Sequence, residues 1–260
     1  VGGLVMQTLF RNPLADPSIL GISAGAGLGA AIILLTAVGT TLLATASAAM
    51  AGAMLAIFLL TAASAWVRSA SALLVVGVML SCLLGSITSL LNFFATDEGV
   101  RSFVIWGLGN FSGAYGNRLA VYAASVMLPF LALPFAARTL DALLLGDDYA
   151  RSVGIDVRLH RTLLLLLVGW LTAVTTAVCG PVAFIGLAVP HAARRVASTA
   201  LHRRLIPCTL LLGSATALAC LFVTRLPAML HISPSVMPLA AITPLIGAPV
   251  VIVLLLRGNR

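Results

Sequence analysis

The sequence predicts an all-α, polytopic membrane protein, and three observations predict it. Hydrophobic residues make up 61% of the chain and charged residues 8%, a balance outside the range of water-soluble domains. Mean hydropathy is +1.14. Apolar runs near the roughly 20 residues that cross a bilayer recur from end to end, separated by short charged segments. All fifteen cations are arginine and lie between those runs. The net charge of +8 therefore reads as membrane orientation, with no call for nucleic acid.

Taken in order, residues 1–10 read as the second half of a spanning helix. The chain is thus expected to lack its natural start, and no cleavable signal peptide is visible. Further spans are expected near 19–38, 41–67, 72–94, 119–136, 162–178, 184–196, 205–224 and 239–256, about nine with the partial first. All belong to one transmembrane domain covering 1–260. With Arg11 inside, Arg68, Arg138, Arg151, Arg158, Arg161, Arg194, Arg195, Arg203, Arg204, Arg257 and Arg260 also fall inside, against Arg101, Arg118 and Arg225 outside. Twelve against three orients the chain with its C-terminus in the cytoplasm.

Two segments are irregular. The 184–196 run is short and carries Pro190, His191, Arg194 and Arg195. On the outer side, 97–116 includes an apolar piece at 103–108 too short to cross, read as a re-entrant or surface helix covered by protein or a water-filled cavity.

The stretch 138–161 concentrates charge: four Arg and four Asp, eight of the chain's twenty-two charged residues. Residues 140–145 read as a short apolar turn broken by Gly146. Asp147 is placed to cap a short helix over 148–153, with Gly154 in the left-handed position that ends it. Such a knob suits docking of a soluble partner, and a solvated loop has the same composition.

Other motifs divide between packing and chemistry. Gly21, Gly25 and Gly29 recur every four residues with Gly27 between them. A dinucleotide site needs a preceding strand and a βαβ unit, so close helix packing is the better reading. The acids Asp16, Asp97, Glu98, Asp141, Asp147, Asp148 and Asp156 all lie in loops or at span ends. An ion-coupled carrier usually holds a carboxylate at mid-membrane, so the energy source is expected outside this chain. His191 reads as a hydrogen-bonded structural histidine. Cys82, Cys179, Cys208 and Cys220 show neither paired nor metal-ligand spacing and read as buried small hydrophobes. No nucleophile–base pair, HExxH or P-loop supports an enzyme, and no cofactor or metal is expected.

Four strings resemble one family: RNPLADPSILGISAGAG (11–27), LLLGDDYARSVGI (143–155), GPVAFIGLAVPHAARR (180–195) and TPLIGAPVVIVLLLR (243–257). They are similar to the FecCD-type permeases, transmembrane subunits of ABC importers for iron-siderophore, haem and cobalamin. The resemblance implies ten membrane helices per subunit in the inner (cytoplasmic) membrane. It also implies a second permease subunit, two cytoplasmic ATPase subunits and an outer-face binding protein. The family's first helix and its Arg-Leu-Pro-Arg docking element would precede this sequence.

Residue by residue, Leu145, Gly146, Asp147, Ala150, Arg151 and Gly154 match the family's coupling helices (about 139–156 here), which fit a groove on the ATPase. Asn12 and Leu14 match positions that narrow the cytoplasmic mouth of the pathway. Ser69 and Ser71 match a second constriction, and either serine also suits a helix N-cap. Gly180, Pro181, Gly186, Pro190 and His191 match a signature concerned with backbone shape. Arg225 matches an arginine that meets an acidic residue of the binding protein; an outer arginine beside Pro227 also suits a headgroup anchor. Before the last helix the family's Glu-Leu-Pro-Val-Gly is replaced by Val236-Met237-Pro238-Leu239-Ala240, and the loop from Arg225 to Pro238 is longer than usual. The expected function is the permease of an ATP-driven importer for an iron chelate or cobalamin, with a stand-alone secondary carrier as the alternative.

Overall fold

A computed structural model describes the chain except for residues 37–40, 68, 112–115, 232–235 and 259–260. Arg68, Arg260, the end of the 19–38 run and the middle of the outer loop at 107–117 thus lie outside the described residues. Among the described residues the regular structure comprises eleven α-helices and one 3₁₀ turn: α1 (Gly2–Leu9), the turn Pro17–Leu20, α2 (Ile22–Leu35), α3 (Leu42–Trp66), α4 (Ala70–Phe94), α5 (Asp97–Gly107), α6 (Asn117–Leu145), α7 (Asp147–Ser152), α8 (Val157–Cys179), α9 (Ile185–Ala197), α10 (His202–Met229) and α11 (Leu239–Gly258). Among the described residues five helices are long and apolar enough to cross a membrane: α3, α4, α6, α8 and α10. The shorter apolar α2 and the 239–249 part of α11 complement them.

Helix starts follow cap chemistry. Thr41, Ser69, Thr96 and Asp156 each accept a backbone N–H near the start of α3, α4, α5 and α8. Each such bond satisfies one of the orphan donors of a first turn. Asp16 does the same for the 3₁₀ turn, accepting from Ser18 N–H at 2.8 Å. Gly21 follows at φ +84, dividing the apolar run at 19–38 into that turn and α2.

Packing grades from centre to rim. In α1, Leu4, Val5, Met6 and Leu9 are buried, and α8 contributes Leu165, Val168 and Ala173 to the same core. At the rim large apolar side chains stay exposed, among them Phe58, Leu83, Phe93, Phe135 and Leu211, as expected where acyl chains are the solvent. Cys82 is exposed on α4, which corrects its reading as a buried hydrophobe; Cys179 and Cys220 are buried.

The glycine reading resolves into contacts. A Cβ on Gly25 would lie 2.4 Å from Gly52 O, and one on Gly29 would lie 2.0 Å from Ala48 O. The backbones of α2 and α3 therefore touch, which only glycine permits here. Gly27 faces open space.

Hydrogen bonds define the two ends of the bundle. At one end Asn110 N–H meets Cys179 O at 2.8 Å, Ala240 N–H meets Leu108 O at 2.9 Å, and Met237 N–H meets Thr224 O at 2.9 Å. The other, arginine-rich end gathers the C-termini of α1, α6 and α9 with α7 and the N-termini of α8 and α10. Polar clasps described below join them.

Candidate functional site

At the arginine-rich end, α6 runs unbroken to Leu145, so the apolar turn expected at 140–145 is the last turn of a long helix. Its end is reinforced by burial of Leu140 and Leu143. Gly146, at φ +127, ends α6 and starts α7. Asp147 is not the cap of α7: it is the first helical residue, and no side chain caps the helix. Its carboxylate turns away instead, accepting from Arg161 at 2.8 Å and lying 3.9 Å from Arg11. The bond from Arg161, in which both partners are charged, holds the carboxylate in that direction; Arg11 at 3.9 Å adds only a longer-range attraction. Asp148 and Arg151 pair on the exposed side at 3.2 Å. Gly154 has φ +84, and its N–H bonds Arg151 O at 3.0 Å, closing the short helix as its position suggests.

The knob has an inner and an outer face. Ala150 is fully buried against the bundle. Leu145, Tyr149 and Val153 are 68%, 49% and 53% exposed. Tyr149 and Val153 were not singled out by sequence reasoning. Their signal was the four-residue spacing from Leu145, hidden by the charged residues between them.

Beside the knob, the end of α1 makes a Schellman-type stop: Arg11 N–H bonds Thr8 O and Asn12 N–H bonds Gln7 O, both at 3.1 Å. Arg11 occupies the left-handed position at φ 46, usually held by glycine and costing an L-residue roughly 1–2 kcal/mol. Asn12 Oδ1 then accepts Leu14 N–H at 2.9 Å, making a compact turn with Leu14 exposed. Ser69 Oγ accepts Ala72 N–H at 3.3 Å, so it caps α4; Ser71 lies exposed in the first turn. Arg225 is exposed near the end of α10, far along that helix from Arg203 and Arg204.

Two further clasps were missed. Asp141 Oδ1 accepts both the backbone N–H and the ring Nδ1 of His202, at 2.9 and 2.6 Å, and His202 Nε2 meets Thr8 Oγ1 at 2.7 Å. Arg194 donates to Gln7 Oε1 at 2.5 Å, while Gln7 Nε2 donates to Leu187 O at 3.3 Å. The sequence signal was the adjacent pair Gln7-Thr8 inside an apolar run; the partners, far away in sequence, left none. His191 is a structural histidine: its ring Nδ1 donates to Leu187 O at 2.9 Å.

Comparison with known proteins places the whole arrangement. The model of the FecCD transport family matches residues 1–257. The chain belongs to the FecCD transport family. Among curated FecCD-like relatives, the hemin transport system permease protein HmuU of Yersinia pestis is 36% identical over 268 residues, with 100% of this chain and 78% of that protein covered. The vitamin B12 import system permease protein BtuC of Klebsiella pneumoniae is 34% identical over 263 residues, covering 100% of this chain and 77% of that protein. A solved metal-chelate type ABC transporter, in an inward-facing conformation, superposes with a TM-score of 0.90 at 29% identity, covering 98% of this chain and 80% of that one.

Within this FecCD chain one of the loop acids is buried. Asp16 lies in a loop, yet it is buried, 7% exposed. A Cβ on Gly186 would lie 2.5 Å from Asp16 Oδ2, and one on Gly3 would lie 1.8 Å from Gly186 O. Gly3 precedes Arg11, and Gly186 precedes Arg194, by eight residues, so both helices place Asp16 about 12 Å above the arginine-rich end. The chain doubles back after Asn12, carrying a buried carboxylate inward, and Asp16 borders a cavity of about 320 Å³ with Tyr122, Thr172 and Thr175. Loop position was a poor guide to depth because loop length says nothing of direction.

Proposed function

We propose that this chain is the membrane-spanning permease subunit of an ATP-driven importer, pairing with a second permease copy, two cytoplasmic ATPase subunits and an outer-face binding protein. The arginine-rich end faces the cytoplasm and includes the C-terminus. The cargo is a metal chelate or corrin-like macrocycle, in line with the haemin and vitamin B12 named for its relatives. The chain itself catalyses nothing; its part is to form the path and to move it.

One observation carries this reading. The knob exposes Tyr149 and Val153, with Leu145 at the very end of α6, beside charged Asp148 and Arg151 and beyond the apolar spans. An apolar face in water marks a partner surface, and the knob is braced from behind by Asp147 and Ala150. A braced knob passes on a push from a closing ATPase dimer, which a slack loop would absorb. Asn12 and Leu14, with Ser69 and Ser71, then form the inner constriction that opens and closes. Arg225, on the opposite end, meets the binding protein.

The test is Asp147→Arg combined with Gly154→Trp in the assembled transporter. The expected result is release of the ATPase subunits or hydrolysis without uptake; normal assembly and transport would refute the coupling role. The buried Asp16 is the observation that favours a second reading, an ion-coupled carrier. ATP-dependent uptake that survives collapse of the proton and sodium gradients excludes it.

A further inference from the structure

We propose that Arg11 is the positioning residue that carries movement of α7 to the Asn12–Leu14 turn, acting through Asp147. The inference rests on the reading above, in which α7 docks the ATPase and this turn is the inner gate.

Three elements meet at one carboxylate. Asp147 belongs to α7, Arg161 to α8, and Arg11 to the turn that ends α1. The bond from Arg161 is short, 2.8 Å, and its side chain is 7% exposed; the Arg11 contact is 3.9 Å, with a side chain 47% exposed. These two partners have different roles. A short, desolvated ion pair fixes the carboxylate to α8, since breaking a buried pair is costly. A long, water-accessible pair can part and re-form at small cost. The same guanidinium also lies against the α6–α7 junction, 3.5 Å from where a Gly146 Cβ would sit.

The rest of α1 is held still. One turn before Arg11, Thr8 is tied to His202 and through it to Asp141, and Gln7 is tied to Arg194. His202 is 1% exposed and Asp141 30%, so the clasp is buried at its histidine. Movement of α7 relative to α6, α9 and α10 therefore meets α1 past these clasps. It is delivered beyond Thr8, to Arg11 and the turn attached to it. That turn moves as a unit because Leu14 N–H is bonded to Asn12 Oδ1 at 2.9 Å. The residue choice agrees with this function: glycine or asparagine takes the left-handed backbone at Arg11 more readily, and neither reaches Asp147 with a charge.

The experiment uses the whole chain assembled with its ATPase subunits in lipid vesicles. Spin labels are placed at Leu14 and at exposed Val196 after the four native cysteines are replaced by alanine. The distance between labels is measured with and without ATP plus vanadate. In the unsubstituted chain the distance shifts on nucleotide trapping. In Arg11→Asn the shift shrinks by about fivefold, within the usual range of coupling between sites, while ATP hydrolysis persists. The thermal midpoint is not lowered, because asparagine accommodates the left-handed backbone. Arg11→Lys, which keeps the charge, restores most of the shift. An undiminished shift in Arg11→Asn overturns the inference. So does a diminished shift that comes with an equal loss of thermal stability and no rescue by lysine, since that marks a purely structural residue. If the unsubstituted chain shows no shift although its ATPase is bound and active, the gate reading beneath the inference fails, and the inference with it.

Discussion

Asp141 and His202, sixty-one residues apart, are joined by two bonds to one carboxylate oxygen: 2.9 Å from the backbone N–H and 2.6 Å from ring Nδ1. The first bond caps α10, and the second orients a ring whose far nitrogen reaches Thr8 on α1. One histidine thus fastens the ends of three helices. His202→Phe fills the same space but removes both ring bonds, leaving Asp141 the backbone N–H and Thr8 its bond to Leu4 O. The expected cost is about 2 kcal/mol, seen as a lowered thermal midpoint in detergent; an unchanged midpoint would show that the clasp contributes nothing.

The glycines of α2 are not equivalent. Gly25→Ala and Gly29→Ala each push a methyl group into the backbone of α3, and overpacking of that kind costs about 1–3 kcal/mol. Gly27→Ala meets nothing within 4 Å and should leave stability unchanged or slightly raised, as alanine is the better helix former. Thermal melts of the three single variants check the order.

Gly154 tests the backbone of the knob on its own. With φ +84 and no neighbour within 4 Å of its missing Cβ, Gly154→Val meets strain without a clash, roughly 1–2 kcal/mol. Gly154→Asn should be tolerated better, since asparagine enters this region more readily. The expected sign is faster proteolysis of the α7–α8 junction in the valine variant; equal rates in the two would contradict the turn.

For Asp16 the prediction separates cap from charge. Asp16→Asn keeps an oxygen for Ser18 N–H and should retain ATP-driven uptake of the cognate cargo. Asp16→Ala loses the cap, at about 1 kcal/mol, and should melt earlier. Abolished uptake in a well-folded Asp16→Asn protein would give that charge a transport role.

Much of this fold was legible in the sequence, because a bilayer imposes a one-dimensional rule. Apolar length and arginine placement located the long spans. Cap residues such as Thr41 and Ser69 sit where α3 and α4 begin, since capping is a contest among near neighbours. Gly154 announced its turn for the same reason. Asp147 did not behave as its local pattern suggested: its neighbours favoured a cap, but Arg161 arrives from elsewhere and holds it in another direction.

By itself, then, the sequence determined that the chain is a bundle of membrane helices, where most of them start and stop, and which family's motifs it carries. Only the tertiary structure decided that Asp16 is buried, that Asp147 braces the knob, and that Thr8, Asp141 and His202 share one clasp. The physical reason is range. Hydropathy and capping act over a few residues along the chain, whereas burial and ion pairing depend on partners that folding brings together from far apart.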